Sequence, residues 1–398
     1  MDVVLTSNSP GELSSWVRVT VESLKRQEPD LRVVVALVPC PYASGAEMRV
    51  ASRLKGVDVV LSPCQTVKLA LGLPVPEYRP AARGVVGFLG GEPWHALLLA
   101  FRLRYPAVAY MVRPSCLARN FRTVAVCDRA VEGRLRAIVG AERVRFIGNL
   151  MVDGVATASP GDGDFGLEPG RPVIGLFPGS RHMHLRATLG AYLALVERIA
   201  LQRPEIQFLL ALSPFVRVED MDRALIRPLP LGLPTCKARY EPGILVTDGG
   251  CRLAVAHGQP YEVMRRIDVA LSIPGTNTAE LACAGKPMVI TLHPLAHVGG
   301  GGLSGLLEFL PLGKVLKSRL RRRKYSRLRF TAHPNIIAQR HVVPEIVIGK
   351  DLEEVQRTLL ELIDRPEQRL RLGQELRGLM GPAGAADKMA RTLLDACA

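Results

Sequence analysis

Short apolar runs recur along the chain, each broken by Gly, Pro or Ser and followed by a segment of helical periodicity. In the first part these runs are Val3–Thr6, Leu31–Val38, Val57–Leu61, Val85–Leu89, Ala107–Val112, Val124–Cys127 and Val144–Ile147. Runs that are apolar on both faces and separated by helices predict a parallel sheet covered on both sides. Helices are expected from about Ser14 to Arg26 and over His95–Leu103, and the segment 45–55 is helix-permissive. From Ser159 to Pro172 the composition turns to Gly, Pro and Asp, which marks a linker.

The alternation then restarts. Val173–Phe177, Ile206–Leu212, Ile244–Thr247, Val269–Ile273 and Met288–Leu292 read as strands. Leu185–Gln202, Tyr261–Ile267 and a segment from Thr276 to Gly285 read as helices, with further charged helices from Asp351 onward. The domains expected are 1–160 and 171–380, followed by a C-terminal helix over 381–398. The predicted fold class is α/β, two Rossmann-like domains facing each other across a cleft. That is the plan of B-fold glycosyltransferases, and some epimerases share it.

Composition narrows the partners. At 398 residues, 48% hydrophobic and 22% charged, the chain is globular and long enough for two domains. The net charge of +15 favours anionic partners, while 5% aromatic content and no basic-aromatic interleaving argue against nucleic acid. The eight cysteines form no CxxC pair and no metal-ligand spacing, so buried thiols in a reducing, cytoplasmic compartment are expected. The opening residues carry no basic, long-apolar leader pattern, and no run is long enough for a membrane span. GxGxxG and GxxxxGK[ST] are both absent, which counts against a dinucleotide fingerprint and a P-loop.

Four loops fall at predicted strand C-termini, where α/β sheets bind ligands: Pro10–Trp16, Gly87–Trp94, Pro178–His184 and Pro274–Glu280. In the last, a helix N-terminus at Thr276 directs free N–H groups at its surroundings, which suits a diphosphate. Glu280, one turn along, suits two ribose hydroxyls. Gly179 and Ser180 let backbone approach a phosphate, and Arg181 adds a permanent charge. Ordinary crossover turns and a solvated arginine account for the same residues. The apolar segment from His95 to Leu103 reads either as a core helix or as a dock for lipid. Lys317–Arg329 carries eight basic residues and no acid after a mostly apolar stretch. It reads as a strip for an anionic membrane surface or as a solvated helix.

PGSR (178–181), PGTNTAE (274–280) with KPMV (286–289), FIGNLMVD (146–153) and PNIIAQRHVVPEI (334–346) resemble the lipid-A-disaccharide synthase family. The resemblance runs from residue 1 to about 350, with the motifs in the family's order. It implies an inverting, metal-independent glycosyltransferase of the B fold. Such enzymes move an acyl-glucosamine from UDP to a lipid acceptor at the inner face of the cytoplasmic membrane. It further implies a UDP-sugar site from Gly179, Ser180, Arg181, Gly275, Thr276, Asn277 and Glu280, with Asn335, Gln339 and Arg340 near the sugar and diphosphate. No cofactor or metal is expected. The partners expected are a UDP-sugar, a lipid acceptor and an anionic membrane surface, not nucleic acid, with a homodimer left open.

The first half departs from the family pattern. Gly11-Glu12-Leu13-Ser14-Ser15-Trp16 ends in Ser-Trp where the family has Gly-Asp. Gly87-Phe88-Leu89-Gly90-Gly91-Glu92 keeps only Glu92 as an acid where the family's loop carries an essential Asp. His184 stands where the family has Glu. These departures point to a paralogue with a rebuilt acceptor side, formed by Gly11, Glu12, Ser14 and Trp94. Glu92 is then the expected catalytic base, with Arg181 as the charge on the leaving group, although a helix-start carboxylate or a surface acid accounts for Glu92 as well. His95 and His184 are rival bases. A UDP-sugar-binding protein without turnover and a UDP-sugar epimerase are the alternative functions.

Overall fold

The computed structural model describes residues 1–40, 43, 45–158, 164–226, 232–292, 329–349 and 352–397. The chain divides into two compact units, one of residues 1–158 with 381–398 and one of 159–380.

In the first unit, β1 (Asp2–Ser7) leads through a π-helical turn (Glu12–Val17) into α1 (Arg18–Gln27) and β2 (Arg32–Leu37). The short α2 (Glu47–Ala51), β3 (Val59–Leu61), α3 (Pro63–Ala70) and β4 (Gly84–Phe88) follow. α4 (Pro93–Leu103), β5 (Ala107–Met111), β6 (Thr123–Val126), α5 (Arg129–Val139), β7 (Val144–Phe146) and α6 (Leu150–Ala156) complete the run. The strands form one parallel sheet in the order β3-β2-β1-β4-β5-β6-β7. Every residue of β1, β4 and β5 is buried, which explains why β4 and β5 read as apolar runs, while β1 buries Asp2, Thr6 and Ser7 beside its apolar Val3–Leu5. Val4, Val34, Val86 and Ala109 of the sheet pack with Leu99 and Leu135 of α4 and α5 in one core.

The helix Ala385–Cys397 returns to this unit. It packs along α1, and its first turn is held by Asp153 of α6, which accepts from the amides of Gly384 (2.7 Å) and Ala385 (3.0 Å). A negative charge at a helix start is favourable, so the Asp of FIGNLMVD acts as a clasp.

The second unit opens with β8 (Val173–Phe177), α7 (His182–Gln202), β9 (Gln207–Leu212) and α8 (Val218–Ile226). Next come β10 (Ala238–Glu241), β11 (Ile244–Thr247), β12 (Arg252–His257), α9 (Pro260–Arg266) and β13 (Val269–Ser272). α10 (Thr276–Cys283), β14 (Met288–Leu292) and β15 (Glu345–Val347) close the described sheet, in the order β10-β11-β12-β9-β8-β13-β14-β15. β10 to β12 pair antiparallel and the rest parallel. β10 and β12 escape the apolar-run criterion because they are half exposed and carry Arg239, Glu241, Arg252 and His257. α7 buries Leu185, Leu189, Tyr192, Leu193, Val196 and Ile199 on this unit's core, as its helical spacing requires.

Lys286 of KPMV is a packing residue: its ammonium donates to the Ile267 carbonyl at 2.8 Å, closing the end of α9. The basic run from Lys317, apart from Arg329, and the apolar stretch before it lie outside the described residues, as do residues 159–163 of the expected linker. No described helix is long and apolar enough to cross a membrane.

Candidate functional site

Each sheet reverses its winding direction once, between β1 and β4 in the first unit and between β8 and β13 in the second. Loops leaving the C-terminal ends of such a strand pair diverge to opposite faces and leave a crevice, the usual ligand position of α/β sheets. All but three of the site residues expected from the sequence lie on the four loops, or the helix starts, at these two points.

In the second unit, the loops after β8 and β13 touch. A Cβ on Gly179 (φ +105°) would stand 2.7 Å from Ile273 Cδ1 and 2.9 Å from His184 Cβ, so only glycine fits. Gly275 (φ +153°) faces open space, with no atom within 4 Å of a Cβ placed there. α7 starts at Arg181 and α10 at Gly275, and neither start has a side-chain cap. The first-turn amides of two helices therefore lack the usual capping side chain beside adjacent loops, which supplies donors and partial positive charge for an anion. Arg181 and Ser180 are partly exposed at that place, as is Asn277 in the first turn of α10.

Glu280 is buried on α10, and the Tyr261 hydroxyl of α9 donates to its carboxylate at 2.9 Å. Thr278 ties the start of α10 together. Its hydroxyl donates to the Gly275 carbonyl (2.8 Å) and accepts from the His333 amide (3.0 Å), which docks the helix His333–Ala338 there. Tyr261 and Thr278 carry no sequence signal of these roles.

The expectation for Asn335 needs correction. Its side chain is fully buried: the amide nitrogen donates to the Val343 carbonyl and Glu345, and its oxygen accepts from the amides of Val342 and Val343. With both ends engaged, it shapes the turn instead of meeting a ligand. Glu345, which sequence reasoning missed, accepts from Thr331, Ala332 and Asn335 and anchors the same segment. Gln339 and Arg340 are exposed. Gln339 sits in the left-handed region (φ 53°) and donates to the Ile336 carbonyl, while Arg340 pairs with Glu375 on the helix Pro366–Met380.

In the first unit, the loops after β1 and β4 meet through Glu12. Its carboxylate accepts from the amides of Asn8 (3.3 Å) and Ser9 (3.2 Å) and from the Ser7 hydroxyl (3.4 Å). A Cβ on Gly90 would overlap it, so the Gly90-Gly91 pair of the β4 loop makes room for this acid. Burial pushes the Glu12 carboxyl above its ordinary range against the opposing hydrogen bonds from Asn8, Ser9 and Gly91. Glu12 is thus a loop-organising acid, a role its place on the expected acceptor side does not reveal. Gly11 precedes the π-helical turn, and the Ser14 hydroxyl donates back to the Pro10 carbonyl at 2.9 Å. Trp16, which replaces the family's Asp, turns inward edge-on to Tyr110 at 5.2 Å.

Glu92 occupies the position just before α4, partly exposed, and makes no capping bond. Trp94 is half exposed and stacks on His95 at 3.7 Å. His95 is buried with no hydrogen bond to Nδ1, and that burial lowers its pKa. His184 lies in the second unit beside Gly179, on α7, among the expected nucleotide loops. Among the described residues no three His, Cys, Asp or Glu side chains cluster as metal ligands.

The sequence matches no protein-family model. It is 27% identical over 261 residues to the lipid-A-disaccharide synthase of Geobacter sulfurreducens, an alignment spanning 63% of this chain and 57% of the relative. The chain thus spans little more than half the length of that relative. To the lipid-A-disaccharide synthase of Syntrophotalea carbinolica it is 26% identical, over 99% of this chain and 95% of the relative. Among solved structures, the UDP-GlcNAc 2-epimerase from Neisseria meningitidis superposes with a TM-score of 0.56 at 14% identity, covering 99% of this chain and 100% of that one. The glycotransferase of kitacinnamycin gives 0.56 at 14%, covering 100% and 99%. Those two likenesses speak to fold, a pair of α/β domains, while the sequence alignments speak to descent. The chain is a divergent relative of the lipid-A-disaccharide synthases.

Proposed function

We propose that the chain is a UDP-sugar-dependent glycosyltransferase that passes a sugar of the GlcNAc type, with inversion, to a lipid or lipid-linked acceptor. One observation carries the reading: two helix starts without side-chain caps, beside touching glycine loops, at the winding reversal of the second sheet. The diphosphate lies against the first-turn amides of α7 and α10, with Arg181 adding charge. Glu280, steadied by Tyr261, addresses the ribose. Glu92 takes the proton of an acceptor hydroxyl as its oxygen bonds to C1 of the sugar. The bond from C1 to the diphosphate breaks, and UDP leaves with its charge held by the helix starts and Arg181. Glu12 fixes the loops on either side of that reaction. A lipid acceptor would bring the protein to a membrane surface, and the inner face of the cytoplasmic membrane is the location that goes with this reading.

Calorimetry with UDP is the first test. Arg181→Ala should weaken binding by about 1.5–3 kcal/mol, the value of a charge-assisted hydrogen bond. A wild-type protein that binds no UDP refutes the proposal. A panel of UDP-sugars with lipid extracts as acceptors then separates the chemistry. Acceptor-dependent UDP release supports transfer, interconversion of UDP-sugars without acceptor supports an epimerase, and binding without turnover supports a non-catalytic binder.

A further inference from the structure

The opposite end of the first sheet carries a feature that transfer chemistry does not use. A groove of about 910 Å³ opens where α4 ends and β5 begins, lined by Leu97, Ala100, Phe101 and Tyr105, by Asn120, and by four arginines. The topology explains the clustering. Arg104, Arg122 and Arg143 each lie just before one of β5, β6 and β7, which are neighbours in the sheet, and Arg102 is on the last turn of α4. Adjacent strands lie about 4.8 Å apart, so three arginines start from neighbouring positions at one sheet end.

No acid lines the groove. Arg122 donates to the Ala396 carbonyl and Arg143 to the carbonyls of Arg119 and Phe121, while Arg102 reaches only the Gly72 carbonyl at 3.5 Å. Among the described residues none of the four pairs with a carboxylate. The rim is apolar: Phe101 is 84% exposed, and Leu98 and Trp94 are exposed on the same face of α4 at helical spacing. The inner face, His95, Ala96, Leu99 and Ala100, is buried. The helix therefore serves the core with one face and leaves an apolar stripe on the other, running from the Glu92 end to the arginines.

We propose that this groove takes the phosphate headgroup of an anionic phospholipid in a bilayer, with Phe101 and the stripe entering the interface. Guanidiniums without a carboxylate partner match the phosphate, and an exposed aromatic at the rim suits an interface, not a soluble phosphoester. The inference does not rest on the transferase reading, since lipid binding is measured without a sugar nucleotide. Nor does it rest on the Lys317–Arg329 run.

The experiment is flotation of the full chain with phosphatidylcholine vesicles, with and without phosphatidylglycerol, over a salt series. The paired variant Arg102→Ser with Arg104→Gly is conservative for the fold, because Arg104 has φ 57°, which glycine prefers. It should lower binding to anionic vesicles about fivefold per arginine at low salt, with an unchanged melting temperature. Phe101→Ser should lower binding about tenfold at every salt concentration. Variants that float as the wild type does overturn the proposal, even if Arg321→Ser, Arg322→Ser and Arg323→Ser together release the protein. Release by millimolar glycerol phosphate overturns it too, in favour of a soluble phosphoester site, and so does capture on neutral vesicles alone.

Discussion

Replacing Gly275 by alanine separates a loop shaped for a ligand from a loop shaped for packing. At φ +153° an alanine is strained, which costs on the order of 1–2 kcal/mol. About 0.5–1 kcal/mol returns because alanine restricts the unfolded chain. No protein atom lies within 4 Å of the new methyl, so no clash is added and the net loss is about 1 kcal/mol. In a unit of this size that lowers its melting temperature by about 2–4 °C. The methyl occupies the space above the start of α10, where the diphosphate would lie. Losing one amide bond to a charged oxygen costs about 1.5–3 kcal/mol, so Kd for UDP should rise roughly 10- to 150-fold. Gly179→Ala is the control: its methyl meets Ile273 and His184 at 2.7–2.9 Å with φ +105°. Overpacking and strain together should cost roughly 2–5 kcal/mol, so that variant loses stability first. Calorimetry with UDP beside thermal unfolding followed by circular dichroism reads both. Gly275→Ala binding UDP as tightly as the wild type would refute the placement of the phosphate.

Glu280→Gln should cost affinity for UDP and leave inorganic diphosphate binding nearly unchanged; equal losses in calorimetry would make the Tyr261–Glu280 pair purely structural. Glu92→Gln should reduce turnover about 10²-fold or more with UDP-sugar affinity kept, and surviving turnover moves the base to His95. Because Glu12 holds its proton more tightly folded than unfolded, its contribution to stability is greatest below its ordinary value of 4.5 and falls as pH rises through the raised one. Glu12→Gln removes that slope, so its stability relative to the wild type should improve as pH rises from about 4.5. Both tryptophans, Trp16 and Trp94, lie in the first unit, so their fluorescence follows it alone. A pH-independent difference sinks the argument.

Much of this protein is written in local pattern. β1, β8 and β13 are legible because a strand buried on both faces is built around an apolar run, Val3–Leu5, Val173–Phe177 and Val269–Leu271 here. Gly275 and Pro274 announce the start of α10, because a tight strand-to-helix turn restricts the residues it accepts. What the sequence left open are the pairings between distant side chains. Glu12 reads as one more loop acid until strand order sets the β4 loop over it, and burial then raises its pKa. Asn335 reads as a ligand group until Val343 and Glu345 take both ends of its amide. Arg104, Arg122 and Arg143 are scattered in sequence, and only the adjacency of β5, β6 and β7 sets them side by side. Periodicity is local and survives in one dimension. Charge, burial and hydrogen-bond supply depend on which loops the sheet order brings together.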